Sequence, residues 1–149
     1  DAPGLQDDFY LNLVDWSAQN ILAVALESSV YVWNATTSTV EELCDVGLED
    51  QVTSLSWSNQ GDHLSIGTKS GEVQIWDINH KKKVRSLDGH QARVSSLAWN
   101  NVSTSVIASG SKDKSILVRD LRAQSNNYMK LTEHRQEVCG LRWSLHDEN

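Results

Sequence analysis

Apolar and polar residues alternate along short stretches of this chain, with the period of a half-buried strand rather than of a helix. Val52-Thr53-Ser54-Leu55-Ser56-Trp57 shows the alternation most clearly, and His63-Leu64-Ser65-Ile66-Gly67 follows as the next strand. Ser70-Gly71 supplies a tight turn. Glu72-Val73-Gln74-Ile75-Trp76 alternates again, and Lys83-Val84-Arg85-Ser86-Leu87 makes a fourth strand. No window carries the i, i+3, i+4 apolar spacing of an amphipathic helix. The pattern predicts an all-β chain of short strands joined by turns.

These strands recur in groups. Leu13-Val14-Asp15-Trp16, Leu55-Ser56-Trp57, Leu97-Ala98-Trp99 and Leu141-Arg142-Trp143 line up, with tryptophans at 16, 57, 99 and 143. Val30-Tyr31-Val32-Trp33-Asn34, Val73-Gln74-Ile75-Trp76-Asp77 and Ile116-Leu117-Val118-Arg119-Asp120 repeat in phase, as do Asp88-Gly89-His90 and Thr132-Glu133-His134. Four antiparallel strands every ~40–45 residues, with Gly-His and Trp-Asp marks, are the pattern of WD-type propeller blades. The predicted fold is a partial WD-repeat β-propeller: three blades plus the first strand of a fourth, from a seven-bladed ring. The blades are expected at about residues 10–43, 52–87 and 94–131, with the fourth beginning at Val138 and running to 149. The first-strand tryptophans 16, 57, 99 and 143 are expected in the core. A chain stopping inside a blade reads as a piece of a longer one, and its open edges predict marginal folding in isolation.

The repeat also accounts for residues that could suggest an enzyme. His90, Ser109 and Asp113 hold three places of a buried hydrogen-bond network in the third blade, with Arg119 where a tryptophan would stand. A Ser-His-Asp hydrolase would need an exposed nucleophile on a sharp elbow, and no such motif occurs. The five histidines lack metal-ligand spacing, so neither a metal nor another cofactor is expected. The predicted role is binding without catalysis.

Charge changes the picture by its placement. Residues 1–68 hold eleven Asp/Glu and no Lys or Arg, whereas residues 69–149 hold nine Asp/Glu and thirteen Lys/Arg. The acidic first half disfavours nucleic acid as a partner and attracts cationic protein segments. The longest apolar run, Ile21 to Leu26, is far below the ~20 residues of a membrane helix, so no membrane association is expected. Cys44 and Cys139 lack a metal or redox spacing and read as reduced thiols of a cytoplasmic or nuclear protein. Lys81-Lys82-Lys83-Val84-Arg85 fits a solvated hairpin better than a nuclear import signal, and two glycosylation sequons, at Asn34 and Asn101, read as chance matches.

One stretch is more specific than the generic repeat. Asp1-Ala2-Pro3-Gly4-Leu5-Gln6-Asp7-Asp8-Phe9-Tyr10-Leu11-Asn12-Leu13-Val14-Asp15-Trp16 resembles the propeller entry of the fizzy and fizzy-related family. The likeness continues through Gly89-His90-Gln91-Ala92-Arg93-Val94, Ser109-Gly110-Ser111-Lys112-Asp113 and Arg119-Asp120-Leu121-Arg122, including the Arg-Asp that replaces Trp-Asp. The resemblance implies a substrate-recognition co-activator of the anaphase-promoting complex, a ubiquitin ligase of the cell cycle. The implied partners are subunits of that complex, degron-bearing substrates such as cyclins, and checkpoint inhibitor proteins, with a nuclear and cytoplasmic location. By position, Asp1 and Pro3 match the family's destruction-box side. Asp7 and Asp8, with Tyr31 and Trp33 nearby, match the Lys-Glu-Asn side. The carboxylates suit a degron Arg or Lys, because charge-assisted hydrogen bonds are the strong ones. The competing reading is a WD-repeat scaffold with an unrelated partner.

Overall fold

The computed structural model describes residues 13–47, 50–100, 105–122 and 128–131. Twelve strands form three four-stranded antiparallel sheets. Blade one holds β1 (Val14–Trp16), β2 (Ile21–Leu26), β3 (Ser29–Asn34) and β4 (Thr39–Asp45). Blade two holds β5 (Val52–Trp57), β6 (His63–Thr68), β7 (Val73–Asp77) and β8 (Lys82–Leu87). Blade three holds β9 (Val94–Trp99), β10 (Val106–Ser111), β11 (Ile116–Asp120) and β12 (Met129–Leu131). Each blade is a meander whose strands pair in sequence order. The proposed start of a fourth blade, including Trp143, lies outside the described residues.

The alternation reads onto the structure with small shifts at the ends. β7 begins at Val73, because Glu72 belongs to the turn. The Thr68 hydroxyl accepts the Glu72 N–H and donates to the Glu72 carbonyl, which closes the turn from side chain to backbone. Gly71 sits there at φ 99°, and a Cβ on it would lie 2.4 Å from the His90 carbonyl oxygen. Only glycine satisfies both the left-handed backbone and that close approach.

In blade two burial falls from the first strand to the last, whereas the first strand of blade one is largely exposed. Every residue of β9 is buried, while β8 is exposed along most of its length. The sheets stack through their first two strands, β5 against β1 and β2, and β9 against β5 and β6. Leu64, Ile66, Ile75 and Leu87 are the largest fully buried side chains at these seams. Each contributes roughly 1.5–3 kcal/mol of hydrophobic stabilisation.

A polar rung recurs at each seam. The Trp57 indole N–H donates to the Asp15 carbonyl at 2.9 Å, and the Trp99 indole N–H donates to the Ser56 carbonyl at 3.2 Å. In both cases the acceptor is the residue just before the first-strand tryptophan of the preceding blade. First strands lie at sheet edges, so they have backbone carbonyls to spare. The Trp57 backbone N–H also donates to the Asp15 carboxylate at 2.8 Å. Burial pushes the Asp15 carboxyl up, and the Trp57 N–H only partly offsets this.

Trp16 departs from expectation. Trp57 and Trp99 are 5% and 7% exposed, whereas Trp16 is 51% exposed. The physical reason is the direction the residue faces. Each first-strand tryptophan points back toward the preceding blade, and the described residues provide none behind blade one.

Candidate functional site

Antiparallel register decides which side chains of blade one share a face. Val14 pairs with Val24 and Trp16 with Leu22; Val24 then pairs with Tyr31, Leu22 with Trp33, Tyr31 with Glu42 and Trp33 with Val40. Directly paired residues project from the same side of a sheet. Tyr31 and Trp33 therefore stand with Val14, Trp16, Leu22, Val24, Val40 and Glu42 on the side turned away from blade two. Ala23, Ala25, Val30 and Val32 project the other way and are buried against blade two.

The outward face is apolar, aromatic and open. Val14 and Trp16 are each 51% exposed, Val40 is also exposed, and Tyr31 and Trp33 are half-buried. Trp16 and Trp33 meet edge to face, with ring centroids 5.8 Å apart and planes at 66°. Contiguous exposed apolar surface of this kind marks an interaction site. The structure thus brings Tyr31 and Trp33 together and adds Trp16 beside them. Asp1, Pro3, Asp7 and Asp8 lie outside the described residues.

The additional face residues Val14, Leu22, Val24 and Val40 escaped the sequence reading. A usable signal was present in the uninterrupted apolar run Ile21-Leu22-Ala23-Val24-Ala25-Leu26. A strand that is apolar at both odd and even positions is built to be covered on both faces. Blade two brings a cation to the acidic first blade. Lys81, in the turn of blade two, forms an ion pair with Glu41 on β4.

The Ser-His-Asp constellation ties the loop that enters blade three to its second strand and following turn. His90 Nε2 lies 2.8 Å from Ser109 Oγ, and His90 Nδ1 lies 3.1 Å from Ser115 Oγ and 3.3 Å from an Asp113 carboxylate oxygen. Ser109 is only 3% exposed, so its hydroxyl sits where a substrate carbonyl cannot reach it. Burial pulls the His90 imidazolium down, and the neighbouring Asp113 carboxylate only partly opposes this, leaving the ring neutral. Burial pushes the Asp113 carboxyl up, but hydrogen bonds from the Ser115 hydroxyl and the Gln91 and Ser115 N–H groups outweigh it. The result is a pKa of about 2. Ser115 is the member of this network that the repeat pattern did not reveal.

Arg119 alters the same blade. It is 4% exposed, its guanidinium lies 5.1 Å from the centre of the Tyr128 ring, and its Nε and Nη2 have no hydrogen-bond partner. Blade two solves the equivalent problem differently: the Trp76 indole donates to Gln74 at 2.9 Å, and Gln74 donates to Glu72 at 3.0 Å. Cys44 is buried on β4, and burial with the neighbouring Asp45 and Glu42 charges holds its thiol up at about 12. It stays protonated and unreactive at neutral pH. A cavity of about 380 Å³ opens between blades two and three, lined in part by Asp62, His63, Arg85 and Leu121. Neither Tyr31 nor Trp33 borders it. Among the described residues no cluster of three or more His, Cys, Asp or Glu could hold a metal ion. No helix there is long and apolar enough to cross a membrane.

The meander blades, their stacking and the tryptophan rungs define a segment of a WD-repeat β-propeller, and residues 8–147 match the family described as the WDR19 first beta-propeller. Among curated relatives, Protein FIZZY-RELATED 2 of Arabidopsis thaliana is 58% identical over 144 residues, covering 97% of this chain and 29% of that protein. The anaphase-promoting complex subunit cdc20 of Dictyostelium discoideum is 49% identical over 148 residues, 99% of this chain and 29% of its own length. A chain in the crystal structure of the mitotic checkpoint complex superposes with a TM-score of 0.90 at 46% identity, covering 96% of this chain and 43% of that one. This chain belongs to the fizzy and fizzy-related family of WD-repeat propellers. It spans under a third of the length of these two relatives.

Proposed function

We propose that this chain is part of a substrate-recognition co-activator of the anaphase-promoting complex, and that it acts by binding without catalysing a reaction. The observation that carries this reading is the likeness to the fizzy-related relatives along nearly the whole chain, with Tyr31 and Trp33 on one face of blade one beside Glu42. A peptide laid on such a face gains apolar area from the rings, while nearby carboxylates select its cationic residues. The acid-rich first half, with eleven Asp/Glu before the first Lys or Arg at position 69, supports the same reading. Asp1 and Pro3 serve the destruction-box side in this proposal. Asp7, Asp8, Tyr31 and Trp33 serve the Lys-Glu-Asn side. The partners are subunits of the ligase, degron-bearing substrates such as cyclins, and checkpoint inhibitors, encountered in nucleus and cytoplasm.

The test uses the intact protein and two peptides, one with an Arg-x-x-Leu box and one with Lys-Glu-Asn. Asp1→Ala is expected to weaken the first peptide about tenfold to a hundredfold and to spare the second. That range corresponds to losing one charged partner in a partly desolvated pair, about 1.5–3 kcal/mol. Asp8→Ala is expected to do the reverse. Equal losses, or none, refute the pocket assignment.

A further inference from the structure

The hairpin joining β3 to β4 carries a run of hydroxyl side chains that neither the packing of the blades nor the proposed binding role uses. Thr36, Thr37, Ser38 and Thr39 are all exposed. The Asn34 side-chain oxygen accepts the Thr36 N–H at 2.9 Å and the Thr37 N–H at 3.3 Å, which pins the near side of the turn. Thr37 and Thr39 bond each other through their hydroxyls at 2.7 Å. Ser38 stands between them at the tip, in the left-handed region at φ 56°, and its hydroxyl has no hydrogen-bond partner among the described residues. Beyond Ser38 the chain is extended and open. β4 is the outer edge of its sheet, and Thr39, Val40, Glu41 and Glu42 are exposed along it.

The residues around this hydroxyl select one chemistry. Glu41 lies three residues after Ser38, and Glu42 follows it. Among the described residues, Ser38 and Thr39 are the only serine or threonine with a carboxylate three residues on. Of the two, Thr39 has its hydroxyl bonded and its backbone paired with Asn34, which leaves Ser38 as the free acceptor. Residues 1–68 hold no Lys or Arg, so an enzyme that reads a basic residue beside its acceptor finds none. The single proline is Pro3, so an enzyme that reads a following proline finds none either.

We propose that Ser38 is a phosphorylation site for an acidophilic protein kinase, with Glu41 as the carboxylate the kinase reads. In the transfer, Ser38 Oγ bonds to the γ-phosphorus of a nucleoside triphosphate. The bond from that phosphorus to the bridging oxygen breaks, the diphosphate leaves with its electron pair, and the hydroxyl proton passes to the kinase's carboxylate base. The product carries about −1.5 to −2 charge at neutral pH. The added charge strengthens the pull on Lys81, which already reaches Glu41 from the turn of blade two. Ser38 stands apart from the residues proposed to take degrons.

The test treats the intact, folded protein with magnesium ATP and casein kinase 2, a kinase that reads a carboxylate three residues after its acceptor, and maps the phosphate by mass spectrometry. The expected result is one phosphate on Ser38 of the native protein and none there in Ser38→Ala. Glu41→Gln, which removes the charge the kinase reads, should slow the reaction about tenfold or more. Lys81→Gln should leave the rate unchanged or raise it, because it frees Glu41. No uptake, uptake only after heat unfolding, uptake equal in wild type and Ser38→Ala, or phosphate placed on Thr39 overturns the assignment. Uptake on Ser38 that Glu41→Gln does not slow overturns the acidophilic class. All three substituted positions are exposed, so each variant is expected to fold.

Discussion

Blade one and blade two present the same face to opposite fates. In blade two, Leu55, Trp57, Leu64 and Ile66 pack against blade one and vanish from solvent. In blade one, Val14, Trp16, Leu22 and Val24 hold the equivalent positions and remain open or half-open. Composition and strand register hardly differ, so the contrast comes from whether a neighbour is present. A propeller blade is therefore a two-faced object whose stability is shared with both neighbours, as in other repeat architectures.

The largest expected effect comes from the tryptophans themselves. Trp57→Ala in the intact protein removes a buried indole and a seam hydrogen bond, and should lower unfolding stability by about 3–5 kcal/mol. Trp16 is half exposed, so Trp16→Ala should cost less than Trp57→Ala when both are read by denaturant unfolding, and an equal loss would show that the two faces are covered alike.

Blade three and the loop that enters it carry a charge network. The folded Asp113 carboxyl lies at about 2, below its ordinary 3.8. Its contribution, about 2 kcal/mol, is present above the unfolded value and is lost as pH falls from roughly 4 toward 2. Asp113→Asn should remove that loss from the stability-pH curve. His90 works in the same network with the neutral form favoured, so its contribution is complete above about pH 6.5 and declines as pH falls below it. A difference curve between the wild type and Asp113→Asn that stays flat from pH 5 down to 2 would show that blade three does not depend on this carboxylate.

The smallest effect is expected at the rim between blades one and two. Lys81 and Glu41 are each about half exposed, and an exposed ion pair contributes only ~0–1 kcal/mol. Lys81→Gln should shift stability within that range and lose its effect at high salt. A larger loss would mean that outer strands hold this seam as firmly as inner ones.

Much of the fold was legible from the chain. The alternation in Val52-Thr53-Ser54-Leu55-Ser56-Trp57 and the recurring tryptophans gave away strand type and the order of pairing within the three described blades. His90, Ser109 and Asp113 were legible as one network because their spacing follows the repeat. The candidate site was legible only in part. Tyr31 and Trp33 could be nominated, but their union with Trp16 and Val40 depends on strand register across three antiparallel pairs. Trp16 was expected in the core because the repeat gives it the place of Trp57, and among the described residues it is half exposed. Burial is a property of the neighbour a side chain meets, and no local pattern encodes that neighbour's presence.

By itself, then, the sequence determined which residues build a blade, through periodicity and turn chemistry acting over a few residues at a time. The tertiary structure alone decided which face of each blade is covered, which carbonyl receives each indole, and where the acidic first blade meets Lys81. Those outcomes depend on contacts between residues about 40 positions apart. Short-range preferences set the alternation, while the seams exist only once whole sheets have stacked.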